Sequence, residues 1–90
     1  MNFEFDADKS QANKIKHGID FNEAKALWQD DNMIVVPANT ESEPRFVGYG
    51  KMNGKHWTAV FTYRGSATRI ISVRRSRDKE IQYYENHISQ

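Results

Sequence analysis

The feature that most constrains the fold is Asn53-Gly54, set between two runs, 45–52 and 56–63, that read as strands. A two-residue hairpin turn needs positive φ at both central positions, and Asn-Gly supplies them at least cost, so the pair predicts a β-hairpin. A further strand over 68–74 follows the tight turn Arg64-Gly65-Ser66, and a short one over 33–36 precedes the hairpin. The two-residue period of a strand puts Trp57, Ala59, Phe61 and Tyr63 on one bulky face, expected to meet helices, and Val60, Thr62 and Arg64 on the other. The same period places Arg69, Ile71 and Val73 together, opposite Ile70, Ser72 and Arg74. Phe3-Glu4-Phe5 reads as an edge strand, and the polar stretch from Pro37 to Pro44 as a surface loop.

Elsewhere the period is helical. Asp8 is placed to cap a helix over 9–17 that stops at Gly18, with Ala12 and Ile15 as a thin apolar stripe. Asp20 and Glu23 have capping-box spacing and open a second helix through Phe21, Ala24, Leu27 and Trp28. Ser76 is placed to cap a last helix carrying Ile81, Tyr84 and Ile88 on one side. The expected fold class is α+β: an antiparallel sheet with two N-terminal helices and one C-terminal helix packed on one face, the other face left open. Ninety residues, 38% of them hydrophobic, suit a single domain over 1–90. No apolar run approaches the ~20 residues of a membrane helix, and the first residues lack the order of a signal peptide, so the expected setting is soluble and cytoplasmic. With no cysteine, a disulfide scaffold, a thiolate zinc site and a cysteine nucleophile are excluded.

Net charge is +1, but it is unevenly distributed. Up to Glu43 there are four lysines against nine acids, and from Asp78 onward one lysine against three acids. Between them, residues 44–77 hold six arginines and two lysines and no acid, a balance of +8. A block of one sign, rich in guanidinium groups, points to a phosphate-bearing partner.

Phe3-Glu4-Phe5-Asp6, Lys9, Asn13, Lys16-His17-Gly18-Ile19, Phe21, Ala24, Glu43-x-Arg45, Gly48, Thr62-x-Arg64, Arg69-Ile70-Ile71-Ser72-x-Arg74-Arg75, Glu80 and Tyr83-Tyr84 together closely resemble the BrnT family of bacterial toxins. Phe5 stands where the family usually has Trp, and Ser76 near where it usually has Ala. The resemblance implies a RelE-like fold and a ribonuclease that stops translation. It also implies a BrnA-like antitoxin partner, which alone would contact operator DNA. A homodimer and a heterotetramer with the antitoxin are both open.

The chemistry asked of such a chain is activation of a ribose 2′-hydroxyl, stabilisation of charge on the phosphorane and protonation of the departing oxygen. No HxH, HExxH or clustered carboxylates occur, so a metal-independent reaction with no cofactor is expected. Arg64 is the first choice for transition-state stabilisation, because it ends a strand on the face opposite the bulky side chains. Lys16 and His17, adjacent at a helix end, are candidates for proton transfer; Tyr83 is a candidate for stacking or proton transfer, ahead of His56 and His87. Arg45, Lys51, Lys55, Arg69, Arg74, Arg75 and Arg77 are the expected RNA-binding cations, with Arg69 also read as a structural pair for Glu43 or Glu80. Arg74 and Arg75, adjacent in a strand, must point to opposite faces. The competing reading is a module of the same fold that binds RNA or antitoxin without cutting. A helix-turn-helix regulator ranks last, because the positive charge lies on strands rather than helices.

Overall fold

The structure is a computed structural model, described over residues 1–38 and 41–89. Asn39 and Thr40 of the expected surface loop, and Gln90 at the end of the expected domain, lie outside the described residues. Five strands form one sheet: β1 (Asn2–Glu4), β2 (Ile34–Ala38), β3 (Arg45–Met52), β4 (Lys55–Arg64) and β5 (Ala67–Arg75), in the spatial order β1-β5-β4-β3-β2. β2 to β5 form an antiparallel meander, whereas β1 runs parallel to β5 along the first three residues of that strand. The expected hairpin is present, with Asn53 at φ 53° and Gly54 at φ 75°.

One face of the sheet carries α1 (Ala7–His17) and α2 (Phe21–Ala24), the latter continued by a 3₁₀ segment over Lys25–Gln29. Asp20 and Glu23 form the expected capping box. Phe21, Ala24 and Leu27 pack with Trp57, Ala59, Phe61, Ile70 and Val73 into the hydrophobic core. Gly50 lets the 3₁₀ segment come this close, because a Cβ there would meet Leu27 Cδ1 at 2.8 Å. Tyr63, expected beside Trp57 and Phe61, is instead half exposed at the sheet end and leans on Phe46 and Phe61.

α1 is attached by polar groups. Its cap is Asp6 rather than Asp8, the Asp6 carboxylate accepting from the N–H groups of Asp8 and Lys9. Ile15 is 82% exposed, so the apolar stripe expected on this helix does not meet the core. Ser10 and Asn13 are buried in its place. Ser10 Oγ accepts from Phe21 N at 2.9 Å, and the Asn13 amide donates to the carbonyls of Ile19 and Val73 while accepting from Val73 N. β1 pairs only with 67–69, so Asn13 satisfies the backbone of β5 where no strand lies beside it.

Two further expectations are corrected. The β4–β5 register slips between Val60↔Ser72 and Phe61↔Ile70, leaving Ile71 as the extra residue of a bulge. Ile70 and Val73 consequently face the core together, and Arg69 lies on the face opposite Val73. Second, α3 (Asp78–Ile88) is not on the face that α1 and α2 cover. Its side chains meet His56, Thr58, Tyr49 and Arg74, whose strand positions alternate with those of the core residues. The helix starts one residue later than expected, with Arg77 at its cap. Ser76 turns inward instead: its N–H donates to His56 O, and its hydroxyl hydrogen-bonds Thr58. Tyr84 anchors α3, 2% exposed, with its hydroxyl donating to Asp30 Oδ2 at 2.6 Å.

Candidate functional site

The face opposite α1 and α2 is ordered in rows by the strand register. One row runs Glu4, Arg69, Thr62 across β1, β5 and β4, with Arg45 next on β3 and Arg64 just beyond on β4. The next row holds Val36, Val47, Val60 and Ser72, and the third Ile34, Tyr49, Thr58 and Arg74. α3 lies over the third row and leaves the first two uncovered.

The arginines of the first row are held loosely. Arg64 lies 3.9 Å from Glu4 and 3.7 Å from Glu43, Arg69 lies 3.5 Å from Glu4, and Arg45 lies 3.9 Å from Glu43. Glu4 Oε1 and Arg45 Nε are buried without a hydrogen bond. Three guanidinium groups thus share two carboxylates at distances beyond a charge-assisted hydrogen bond. Arg64 is half exposed at its side chain.

Arg74 is held tightly. Its two terminal nitrogens donate to the two Glu80 oxygens at 2.8 and 2.9 Å, and Glu80 also accepts from Thr58 Oγ1 and from Arg77 N. The Arg74 guanidinium, then the Arg77 N–H and the Thr58 hydroxyl, outweigh burial and bring the Glu80 carboxyl down to about 2. Close by, burial and then the Glu80 charge push the Tyr49 hydroxyl up. Burial works against the Asp30 carboxylate, yet the Tyr84 hydroxyl and the N–H groups of Asn32 and Lys51 hold it below its ordinary value.

The other expected site residues are dispersed. Lys16 and His17 lie on the turn after Asn13, by the Val73 end of β5, whereas Arg64 is at the opposite end of β4. Six residues of strand separate Val73 from Ala67, the partner of Arg64, which is about 20 Å at the usual rise. Tyr83 is 40% exposed on α3 and meets Tyr49 and His87. Arg75 points to the face opposite Arg74, its guanidinium 5.4 Å from the Trp57 ring. Lys51, Lys55 and Arg77 are exposed, and none makes an ion pair among the described residues. His56, ranked low as a site residue, is half-buried and bonded to Glu85 at 2.8 Å. The partner expected for Arg69 was Glu43 or Glu80; it is Glu4 of β1. Glu4, Glu43 and Tyr49 were missed as site residues. The period-2 pattern Arg45, Val47, Tyr49, Lys51 was the signal that could have found Tyr49 and the Glu43-x-Arg45 spacing the one for Glu43, whereas Glu4 becomes a neighbour only through the tertiary fold.

The family model of the BrnT ribonuclease toxin of type II toxin-antitoxin systems matches residues 5–80. The chain belongs to the BrnT family. The match takes in Arg45, Arg64, Arg69, Arg74 and Glu80 and stops short of Tyr83 and His87. No curated protein matches the chain. Membership makes this BrnT chain a ribonuclease toxin of a system whose second component is an antitoxin. Among the described residues no BrnT helix is long and apolar enough to cross a membrane, and no group of three His, Cys, Asp or Glu is placed to hold a metal ion.

Proposed function

We propose that this toxin is a RelE-like, metal-independent endoribonuclease that inhibits translation, with the scissile phosphate seated on the first row of the uncovered sheet face. The observation that carries the reading is the loose cluster of Arg45, Arg64 and Arg69, since guanidinium groups not committed to hydrogen bonds with Glu4 and Glu43 can turn to a phosphate at small cost. Arg64, the most exposed of the three, bonds the non-bridging oxygens and stabilises the charge that grows on them in the transition state. Drawing Arg64 and Arg69 onto the phosphate uncovers Glu4 Oε1, a carboxylate oxygen able to accept the 2′-hydroxyl proton. The 2′-oxygen then forms its bond to phosphorus as the bond to the 5′-oxygen breaks, and the departing 5′-oxygen takes a proton from solvent water. The products are a 2′,3′-cyclic phosphate and a 5′-hydroxyl.

A BrnA-like antitoxin that covers Val36, Val47 and Val60 together with the arginine row would block the same surface. The second reading, binding without cleavage, draws on the distance of Lys16 and His17 from Arg64. Incubating purified protein with RNA in EDTA, followed by mass spectrometry of the ends, separates them. Cyclic phosphate ends lost in Arg64→Ala support the ribonuclease mechanism, while 5′-phosphate ends or strict dependence on added Mg²⁺ overturn it.

A further inference from the structure

α3 presents two exposed aromatic side chains, Tyr83 and His87, beside the residues that anchor it to the sheet. Tyr84, not Tyr83, carries the anchoring contacts, through burial and its bond to Asp30. Tyr83 sits one position away, 40% exposed, with its ring edge-on to Tyr49 at 5.6 Å and 75°. The His87 ring lies 4.3 Å from that of Tyr83, held by Nδ1 at 2.8 Å from the Tyr83 carbonyl oxygen. The three rings form a continuous aromatic edge next to the uncovered valine row.

β3 connects this edge to the arginine cluster. Arg45, Val47, Tyr49 and Lys51 alternate with Phe46, Gly48, Gly50 and Met52 and so lie on the outer face. From Arg45 to Tyr49 is four residues, about 13 Å at the usual strand rise. As far as the margin of α3 the track therefore reads cation, apolar surface, aromatic, which is how sequence-tolerant single-strand sites are built: charge follows the backbone while flat rings take the bases.

We propose that Tyr83, backed by Tyr49 and His87, is a stacking platform for an RNA base a few nucleotides from the scissile phosphate. This rests on the ribonuclease reading for the place of that phosphate, but it assigns Tyr83 to the ring and not to the proton. Its consequence is that the site grips single-stranded RNA over a span longer than the reacting nucleotide.

The test uses the whole chain and a fluorescent single-stranded oligonucleotide with 2′-O-methyl ribose throughout, which cannot be cut, so binding is read whether or not the protein cleaves. Tyr83→Ala should weaken the dissociation constant by about 10-fold, and His87→Ala by a few-fold, on the scale of losing one base stack. Tyr83→Phe, which keeps the ring, should recover most of that affinity. In cleavage assays of unmodified RNA the loss in Tyr83→Ala should fall on KM and should move the preferred cut positions. Wild-type affinity in Tyr83→Ala overturns the platform, as does a Tyr83→Phe variant as impaired as Tyr83→Ala, which would make the hydroxyl the working group. A Tyr83→Ala variant that binds RNA normally but loses affinity for antitoxin makes the edge a protein contact and also overturns it. A chain that binds the oligonucleotide through Tyr83 yet never cuts RNA leaves the platform standing and overturns the ribonuclease mechanism instead.

Discussion

Arg64 and Arg74 lie on the same face of the same sheet and differ in what holds them. Arg74 makes two hydrogen bonds of 2.8 and 2.9 Å to a carboxylate whose remaining capacity is taken by Thr58 and Arg77. Arg64 faces two carboxylates at 3.7 and 3.9 Å. A guanidinium committed to a short bidentate pair fastens a helix to a sheet; one held at arm's length keeps its donors for something that arrives later. Positive charge on a face is therefore a poor guide to binding until the commitment of each cation is known.

The largest effect should be on Arg64. Arg64→Ala is expected to lower the single-turnover cleavage rate by about 10²-fold or more, the scale for one preorganised donor to a developing oxyanion, with little change in melting temperature. Arg64→Lys should restore little, because one ammonium cannot reproduce the planar fork. Equal losses of rate and thermal stability would erase the contrast with Arg74.

Next comes the Arg74–Glu80 pair, with the opposite signature. Glu80 is brought down to about 2 in the fold from its ordinary value of 4.5, so its stabilisation is fully present above about pH 4.5 and is lost as pH falls through about 2. The shift sets an upper bound of roughly 3 kcal/mol at neutral pH, which solvent screening of this partly exposed pair reduces. Glu80→Gln should destabilise the protein by up to that amount at pH 7 and remove that part of the acid transition; thermal melts between pH 2 and 7 check both. Its cleavage rate, measured where the variant is folded, should stay near wild type.

Arg69→Ala sharpens the comparison from within the loose cluster. Its partner Glu4 lies at 3.5 Å on a three-residue edge strand, so the expected loss is about 10-fold in rate, read by the same single-turnover assay, with a stability change within the ~1 kcal/mol of a surface pair. The smallest effect belongs to Tyr84→Phe, which removes one hydrogen bond to Asp30 and should cost about 1 kcal/mol in chemical denaturation while leaving cleavage unchanged.

What was legible in the sequence was local. Asn53-Gly54 places the hairpin, Asp20 with Glu23 opens α2, and the alternation in β4 puts Arg64 opposite Trp57 and Phe61, all as the structure has them. What escaped depends on contacts distant in the chain. The bulge at Ile71 shifts the faces of β5 by one residue, and no propensity marks Ile71 as the extra one. α3 follows a strand end from which either face can be reached; the Arg74–Glu80 bonds and the Tyr84 anchor are contacts of the face it occupies. The acid-free block likewise gives up its isolation on folding, because Glu4, Glu43 and Glu80 come to it from outside. That is why counting charges along the chain marks the cationic part of the sheet but not which of its cations are already committed to carboxylates.

Asn13 gives the sheet a boundary as well as a fastening. By occupying both the N–H and the C=O of Val73, its amide takes the place of a strand residue, and a foreign strand seeking that edge finds the position filled. At the far edge, β2 carries Pro37, which has no N–H to offer a newcomer. Where these two positions interrupt the borders, recognition has to rely on side chains of the sheet face. Association there is set by shape and charge, so it can be tuned or undone by single substitutions in a way that strand addition, written in backbone, could not.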